Sequence, residues 1–514
     1  MDRREFFKAW AVGAASVGRV AAAAAAGPPA TGKEESAMST RETPSAPPNL
    51  LIIMSDDQGA WAMGCAGNPE IRTPHLDRLA AEGIRFRNFF CASPVCSPAR
   101  ASFLTGRIPS QHGIHDWLKL GNIEVEEGVT WSGRDRPIEY LQGLTGFTDI
   151  LARHGYVCGL SGKWHLGASG KPQKGHSYWV THSLGGDSYV RYYVFENSPE
   201  LVLKTQYVTD YFTDRALEFL DTYGRGPQPF CLSLHYTAPH SPWDRSNHPA
   251  DLFDSYADCP FDSIPSEPPH PWGGWDPEPS QRKATLQGYF AAVTAMDAAI
   301  GRVRQKLADL GIDRDTILVF TSDNGMNMGH HGICGKGNGT FPLNMYDTSV
   351  KVPFIVSCPG RLPAGVVNDG LYSHYDFLPT LLDYLGFENP EAAILPGRSF
   401  APVWRGEDDP GRENVVVYDE YGPVRMIRSR EWKYIHRYPY GPHELYSLQE
   451  DPEEKHNRLE DPGCQGFLTE LRGQLDEWFT GYADPRRDGV KEAVRGRGQI
   501  DVVGPANRGR RAFE

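Results

Sequence analysis

Four short apolar runs punctuate the chain: NLLIIMS (49–55), FCLSLHY (230–236), TILVFTS (316–322) and VPFIVS (352–357). None alternates with polar positions, so each predicts a strand buried on both faces, as in a parallel sheet covered by helices. Between them the period lengthens. In TPHLDRLAAEGIRF, Leu76, Leu79 and Ala80 recur at helical spacing and predict an amphipathic helix. Strands alternating with helices predict an α/β fold with a mainly parallel central sheet flanked by helices. After about residue 410 the texture changes. VVVYDEYGPVRMIRSREWKYIHRY breaks into short alternating segments with turns, which predict a small antiparallel sheet, and FLTELRGQLDEWF then predicts a helix. The predicted organisation is a large domain over 48–410 and a small C-terminal α+β subdomain over 411–514. The subdomain ends in a mobile or loosely docked tail, VRGRGQIDVVGPANRGRRAFE.

The two ends of the chain and its overall charge narrow the function. Residues 1–26 carry Arg3 and Arg4, a mildly apolar stretch and small residues suited to cleavage; 27–47 read as a solvated linker. DRREFFK resembles a twin-arginine export signal, which implies a bacterial protein exported already folded to the periplasm or outside. Arg19 interrupts the apolar run, which argues against stable membrane insertion. With 65 Asp and Glu against 52 Lys and Arg, nucleic acid is a poor partner, and any anionic substrate needs positive charge gathered locally. Nine scattered cysteines, an odd number with no C-x-x-C pair, form neither a disulfide framework nor a zinc ribbon. Nothing in the pattern fixes an oligomeric state.

Two strand ends look alike. LIIMSDDQG and ILVFTSDNG each finish a buried run with Ser, Asp, a second oxygen-bearing side chain and a nearby glycine. Ligands in open α/β sheets gather beyond the carboxyl ends of strands, so Asp56, Asp57, Asp323 and Asn324 are placed to converge there. Three carboxylates repel one another unless a cation sits among them. An all-oxygen set suits Ca²⁺, or Mg²⁺, better than zinc. The alternative is that these residues only cap the helices that follow.

The stretch SPVCSPARASFLTGR (93–107) sets Cys96 at the predicted start of a helix, with Arg100 one turn on. Both features predict a thiol of lowered pKa, a nucleophile, against the plainer reading of a buried structural cysteine. This stretch closely resembles the signature of the type I sulfatases, within the alkaline-phosphatase-like superfamily. Their signature cysteine is oxidised to formylglycine by a maturation enzyme. NLLIIMSDDQG, GNPEIRTPHLDRLAAEGIRFRNFF, SGKWHLG, TSDNGMNMGHHGICGKG and ELYSLQEDPEEKHN extend the resemblance, in order, over about residues 48–480. It implies a gem-diol nucleophile derived from Cys96 and a divalent metal on Asp56, Asp57, Asp323, Asn324 and residue 96.

The remaining candidates fall around these. Lys163 and His165, two apart, predict a cation and an acid/base on one face of an extended segment, with Trp164 turned into packing. By resemblance they orient the formylglycine and help the elimination, and His240 contacts the ester and protonates the leaving oxygen, with His235 as runner-up. Lys336, in the Gly-rich CGKGNG, adds positive charge beside Arg100; His331 matches a supporting position. Lys163, His240, Lys336 and Asp116 are the candidate substrate contacts, and Trp117, Trp272 and Trp275 could stack on a sugar or be ordinary surface. The resemblance implies hydrolysis of sulfate esters, most simply of a sulfated small molecule or glycan. The alternatives are a phosphomonoester or phosphonate ester hydrolase of the same superfamily and a non-catalytic sulfoglycan-binding protein.

Overall fold

The computed structural model describes residues 47–124, 136–409 and 416–514. The export-signal and linker readings lie outside the described residues. The polar tips of the apolar runs meet because those runs are neighbours in one ten-stranded sheet. Its strands are β1 (Asn49–Ser55), β2 (Ile84–Phe90), β3 (Val157–Gly162), β4 (His176–His182), β5 (Tyr192–Glu196), β6 (Val202–Lys204), β7 (Phe230–His235) and β8 (Thr316–Ser322). A two-residue pair, β9 (Asn327–Met328) and β10 (Cys334–Gly335), stands apart in the loop before Lys336, and β11 (Lys351–Ser357) and β12 (Val366–Ser373) complete the sheet. The order is β12-β2-β11-β8-β1-β7-β3-β4-β5-β6.

From β8 to β4 the pairing is parallel throughout. The apolar run VPFIVS departs from that pattern: β11, entered directly from the short helix Asp347–Val350, is antiparallel to β2 and β8. Along β1, Leu50, Ile52 and Met54 enter one core and Leu51 and Ile53 enter the other. Helices α1 (Pro74–Ala81) and α2 (Cys96–Thr105) take opposite sides: α2 lies in the first core with Ala99, Phe103 and Leu104, while α1 sends Leu76, Leu79 and Ala80 into the second. Helices on both faces explain why no strand in the centre needed a polar side.

A separate four-stranded antiparallel sheet follows, β13 (Val416–Tyr421), β14 (Val424–Arg428), β15 (Trp432–Arg437) and β16 (Glu444–Ser447), in sequence order. The helix Gln465–Tyr482 lays Leu471, Leu475 and Phe479 against Ile427, Tyr434 and Leu445. Lys433 ties this sheet to the large one. Fully buried, it pairs with Asp347 at 3.0 Å and Glu454 at 2.6 Å, and Asp347 also receives Arg428 at 2.9 Å. The tail is not loosely attached. Gln499 and Phe513 are buried, and Gln499 bridges to Leu118 and to Phe513. Its basic run conceals the apolar residues Val494, Val503, Ala512 and Phe513, which belong to the first core.

Lys433→Ala would strand Asp347 and Glu454 in the interior. We expect a loss of about 3–5 kcal/mol of stability in urea unfolding, and a loss below about 1 kcal/mol would show that the ion pairs do not hold the two sheets together.

Candidate active site

Register brings the two look-alike strand ends side by side. Ser55 pairs with Ser322 in the parallel ladder, so Asp56 and Asp323 leave the sheet at the same level. On the other side of β1, Gly162 of β3 aligns with His235 of β7, so the chain exits towards Lys163 next to the chain that leads to His240. Cys96 is the first residue of α2, every residue of which is buried.

The carboxylates sit among cations. Arg100 donates from Nε to Asp323 Oδ2 at 2.9 Å and from Nη1 to the Lys163 carbonyl at 3.1 Å. Lys163 Nζ pairs with Asp56 Oδ2 at 2.5 Å. Lys336 Nζ donates to Asp57 Oδ1 and, at 2.8 Å, to Cys96 Sγ, whose own proton points to Asp56 Oδ1 at 3.4 Å. Asp57 adopts a left-handed backbone, φ 62°, and its N–H donates to Asp323 Oδ1 at 3.1 Å. That turn folds Asp57 back over Asp323 instead of sending it along the strand direction.

Charges are shared unequally. Burial raises Asp56, and Asp323 raises it further against Lys163, so its carboxyl lies above the ordinary range. Asp57 is also driven up by burial, yet Lys336 and then His240 bring it below. Burial opposes ionisation of Asp323 too, but Arg100, Lys163 and Lys336 hold it far down. One ligand oxygen from each of Asp56, Asp57 and Asp323 lies within 4.8 Å of the others. Asn324 donates Nδ2 to Asp57 Oδ1 at 2.8 Å and leaves Oδ1 buried without a partner among the described residues. Three clustered carboxylates and an unpaired amide oxygen fit a hard divalent cation bound through oxygen.

The thiol departs from the sequence expectation. Burial, then the Asp56 carboxylate, pushes Cys96 up to about 12, outweighing Lys163 and Lys336. A helix terminus and an arginine do not make a thiolate here, because Arg100 is spent on Asp323.

The histidines divide by role. His240 donates Nδ1–H to the Ser241 carbonyl at 2.7 Å, so Nε2, 3.7 Å from Asp57 Oδ2, is the nitrogen left to exchange a proton at a partly open position. His165 donates Nε2–H to the Leu118 carbonyl at 3.0 Å, and its buried Nδ1 has no partner among the described residues. Burial first, then Lys163, holds its ring neutral. Here too the local expectation fails: β3 ends at Gly162 and His165 has φ 52°, so the Lys163–His165 pair lies on irregular backbone, not an extended segment. Trp164 packs at 5.1 Å on Trp179. His235 lines a small cavity of about 20 Å³ behind Arg100, and burial pushes it down to about 3. His331 stacks on Tyr346 at 3.8 Å.

The aromatic and acidic candidates are engaged by protein contacts of their own. Asp116 is buried and receives Tyr421 Oη at 2.7 Å, Trp117 N at 2.9 Å and Gly498 N at 3.0 Å, which fixes the tail and leaves no oxygen facing a ligand. Trp272 lies under Arg437 at 4.9 Å, and Trp275 beside Gly329.

A family model described as sulfatase matches residues 48–387, and a second, described as N-sulphoglucosamine sulphohydrolase, C-terminal, matches 339–480. The chain belongs to the sulfatase family. It is a sulfuric ester hydrolase. Among curated sulfatases, N-acetylglucosamine-6-O-sulfatase of Bacteroides thetaiotaomicron is 28% identical over 87% of this chain and 88% of that one. Ulvan-active sulfatase of Formosa agariphila is 27% identical over 85% and 82%. The fold matches a solved protein in complex with its substrate D-glucosamine-2-N,6-O-disulfate, with TM-score 0.71, 24% identity, and 86% and 99% coverage.

One residue of this sulfatase that sequence reasoning missed is Gly185. A Cβ there would collide with the His165 imidazole, so only hydrogen fits. The doubled glycine in SLGGDS was the available signal. Gly185→Ala is expected to cost about a hundredfold in kcat for a sulfate ester with KM little changed, because His165 is displaced. Unchanged kcat in a folded variant would show that the close approach has no part in turnover.

Proposed function

We propose that this is an exported, Ca²⁺-dependent sulfatase, with Mg²⁺ as the alternative ion, that hydrolyses a sulfate ester of a sulfated carbohydrate using formylglycine derived from Cys96. The observation that carries the reading is the position of Cys96 Sγ between Lys336 Nζ at 2.8 Å and Asp56 Oδ1 at 3.4 Å. A thiol held protonated there is a poor nucleophile, and the same carbon as an aldehyde is well placed. The hydrated aldehyde, produced by a separate maturation enzyme, supplies two hydroxyls on one carbon, one to attack sulfur and one to expel sulfate. Asp56, Asp57, Asp323 and Asn324, with residue 96, would hold the divalent ion, which when bound would supply charge to acidify a hydroxyl and polarise sulfate oxygens.

The chain's own groups do the rest. Lys336 and Lys163 bind and orient the sulfate, and neutralise charge that grows on its oxygens. Arg100 acts at one remove, gripping Asp323 and the Lys163 carbonyl so that metal ligand and lysine keep their spacing. His240 Nε2, fixed by the Ser241 carbonyl and reached from solvent, delivers a proton to the leaving alcohol oxygen. His165, neutral and with Nδ1 free, accepts the proton that must leave the second hydroxyl. Names of the relatives, glucosamine sulfate and ulvan, favour a carbohydrate ester as substrate.

The deciding experiment is mass spectrometry of the peptide spanning residue 96 from active protein. We expect it to have lost the elements of hydrogen sulfide and gained one oxygen; an intact thiol in fully active enzyme would overturn the formylglycine reading. Cys96→Ala should abolish turnover and keep binding of a sulfated sugar. Matched aryl sulfate and aryl phosphate assays separate the two ester classes, and preference for phosphate would reject the sulfatase substrate. Chelation followed by Ca²⁺ should lower and then restore both activity and Tm, whereas Asp323→Ala should show no Tm response to Ca²⁺.

A further inference from the structure

Leu118 reaches both halves of the site through its own backbone. Its N–H donates to Ser97 Oγ at 3.1 Å, beside position 96 in the first turn of α2. Its carbonyl accepts from His165 Nε2 at 3.0 Å. The spacing between the nucleophile position and the imidazole therefore runs through one buried residue.

Leu118 lies outside the strands and helices, in a single parallel bridge to Gln499. Gln499 N–H donates to the Trp117 carbonyl at 2.8 Å, and the Gln499 carbonyl accepts from Lys119 N at 2.9 Å. In such a bridge the residues on either side of Leu118 turn their bonds towards Gln499, while Leu118 turns its own the other way, to Ser97 and His165. The fully buried Gln499 side chain then fixes the approach to the bridge. Its Oε1 accepts from His115 N at 2.9 Å, and its Nε2 donates to the Gly113 and Asp501 carbonyls, both at 3.0 Å. Neighbours lock the same stretch: Gly498 N donates to Asp116 Oδ2 at 3.0 Å, and Ile500 N to the Ala512 carbonyl at 2.8 Å. Residue 499 lies beyond both family matches, 48–387 and 339–480, so this hold on the site comes from outside the matched sequence.

The contact serves the imidazole in two ways. A proton held on Nε2 by the Leu118 carbonyl leaves Nδ1 as the basic nitrogen. Burial and then Lys163 disfavour a second proton on the ring, and the Leu118 carbonyl works in the opposite direction. Moving that carbonyl by about 1 Å would take it out of hydrogen-bond range and remove both effects.

We propose that Gln499 is a positioning residue for turnover, which through Leu118 sets the tautomer of His165 and its place relative to residue 96. The proposal rests on the role given above to His165, which takes the proton of the second hydroxyl so that sulfate can leave. The test follows para-nitrophenyl sulfate turnover and, by NMR of protein with labelled histidine nitrogens, the ring of His165, assigned with His165→Gln. Gln499→Met keeps the length of the side chain and loses its amide bonds. We expect kcat to fall roughly tenfold to a hundredfold with KM within about twofold of wild type. Because His165 acts after the alcohol has left, nitrophenol should appear in a burst matching the enzyme concentration. The labelled ring should show a second tautomer, with its proton on Nδ1. Gln499→Glu, kept protonated by burial between two carbonyls, retains one donated bond and should recover part of each effect. It also carries the test if the methionine variant does not fold. Three results would overturn the positioning role: wild-type kcat in the folded methionine variant (or in the glutamate variant where methionine does not fold), a lowered kcat with no burst, or an unchanged His165 tautomer. Failure of wild type to cleave any sulfate ester overturns the sulfatase reading instead, and the labelled ring still reports whether Gln499 holds His165.

Discussion

Three buried carboxylates on adjoining strand ends cannot share a pocket unless positive charge is delivered among them. Arg100, Lys163 and Lys336 are that delivery, each from a different element: α2, the segment after β3 and the loop after β10. The cations still do not balance the cluster evenly, since Asp56 remains raised while Asp323 is held far down. An oxygen-bound divalent cation completes such a set, and Asn324 keeps an oxygen unpaired beside it. In a chain of formal charge −13, this local concentration of cations is what permits an anionic substrate to approach at all.

The same cluster explains why position 96 is ill suited to a thiol nucleophile. A thiolate beside Asp56 would add a fourth negative charge against three cations, and burial together with that carboxylate keeps the proton on sulfur. What suits the position is a neutral group that becomes charged only as it reacts, with lysine ammonium groups already in place.

Much of this was readable in the sequence because it depends on local pattern. Buried apolar runs marked the strands, the doubled Ser-Asp endings marked the neighbours, and the signature around Cys96 carried the family. The misreadings share one cause, which is contact with residues far away in the chain. His165 lies on irregular backbone with φ 52° because His235 and Leu118 hold that segment. Asp116 has the chemistry of a ligand-binding acid, but Tyr421 and Gly498, some 305 and 382 residues on, take its oxygens. The tail, basic and glycine-rich, reads as solvated until Gln499 is seen buried beneath it. Gly185 has no sequence pattern beyond a doubled glycine, since its role is defined only by the imidazole it faces.

The pairing of Ser55 with Ser322 has a further consequence. Because Asp56 and Asp323 hang from one ladder, their separation is inherited from the apolar side chains that lock β1 against β8. A slip of a single residue would offset the two carboxylates by about 3.3 Å and turn every side chain of the slipped strand to the wrong face. Reactive geometry is therefore guarded by the oily interior. The surrounding loops are left free to diverge, and new substrate preferences can be tried at the rim without touching the machinery beneath.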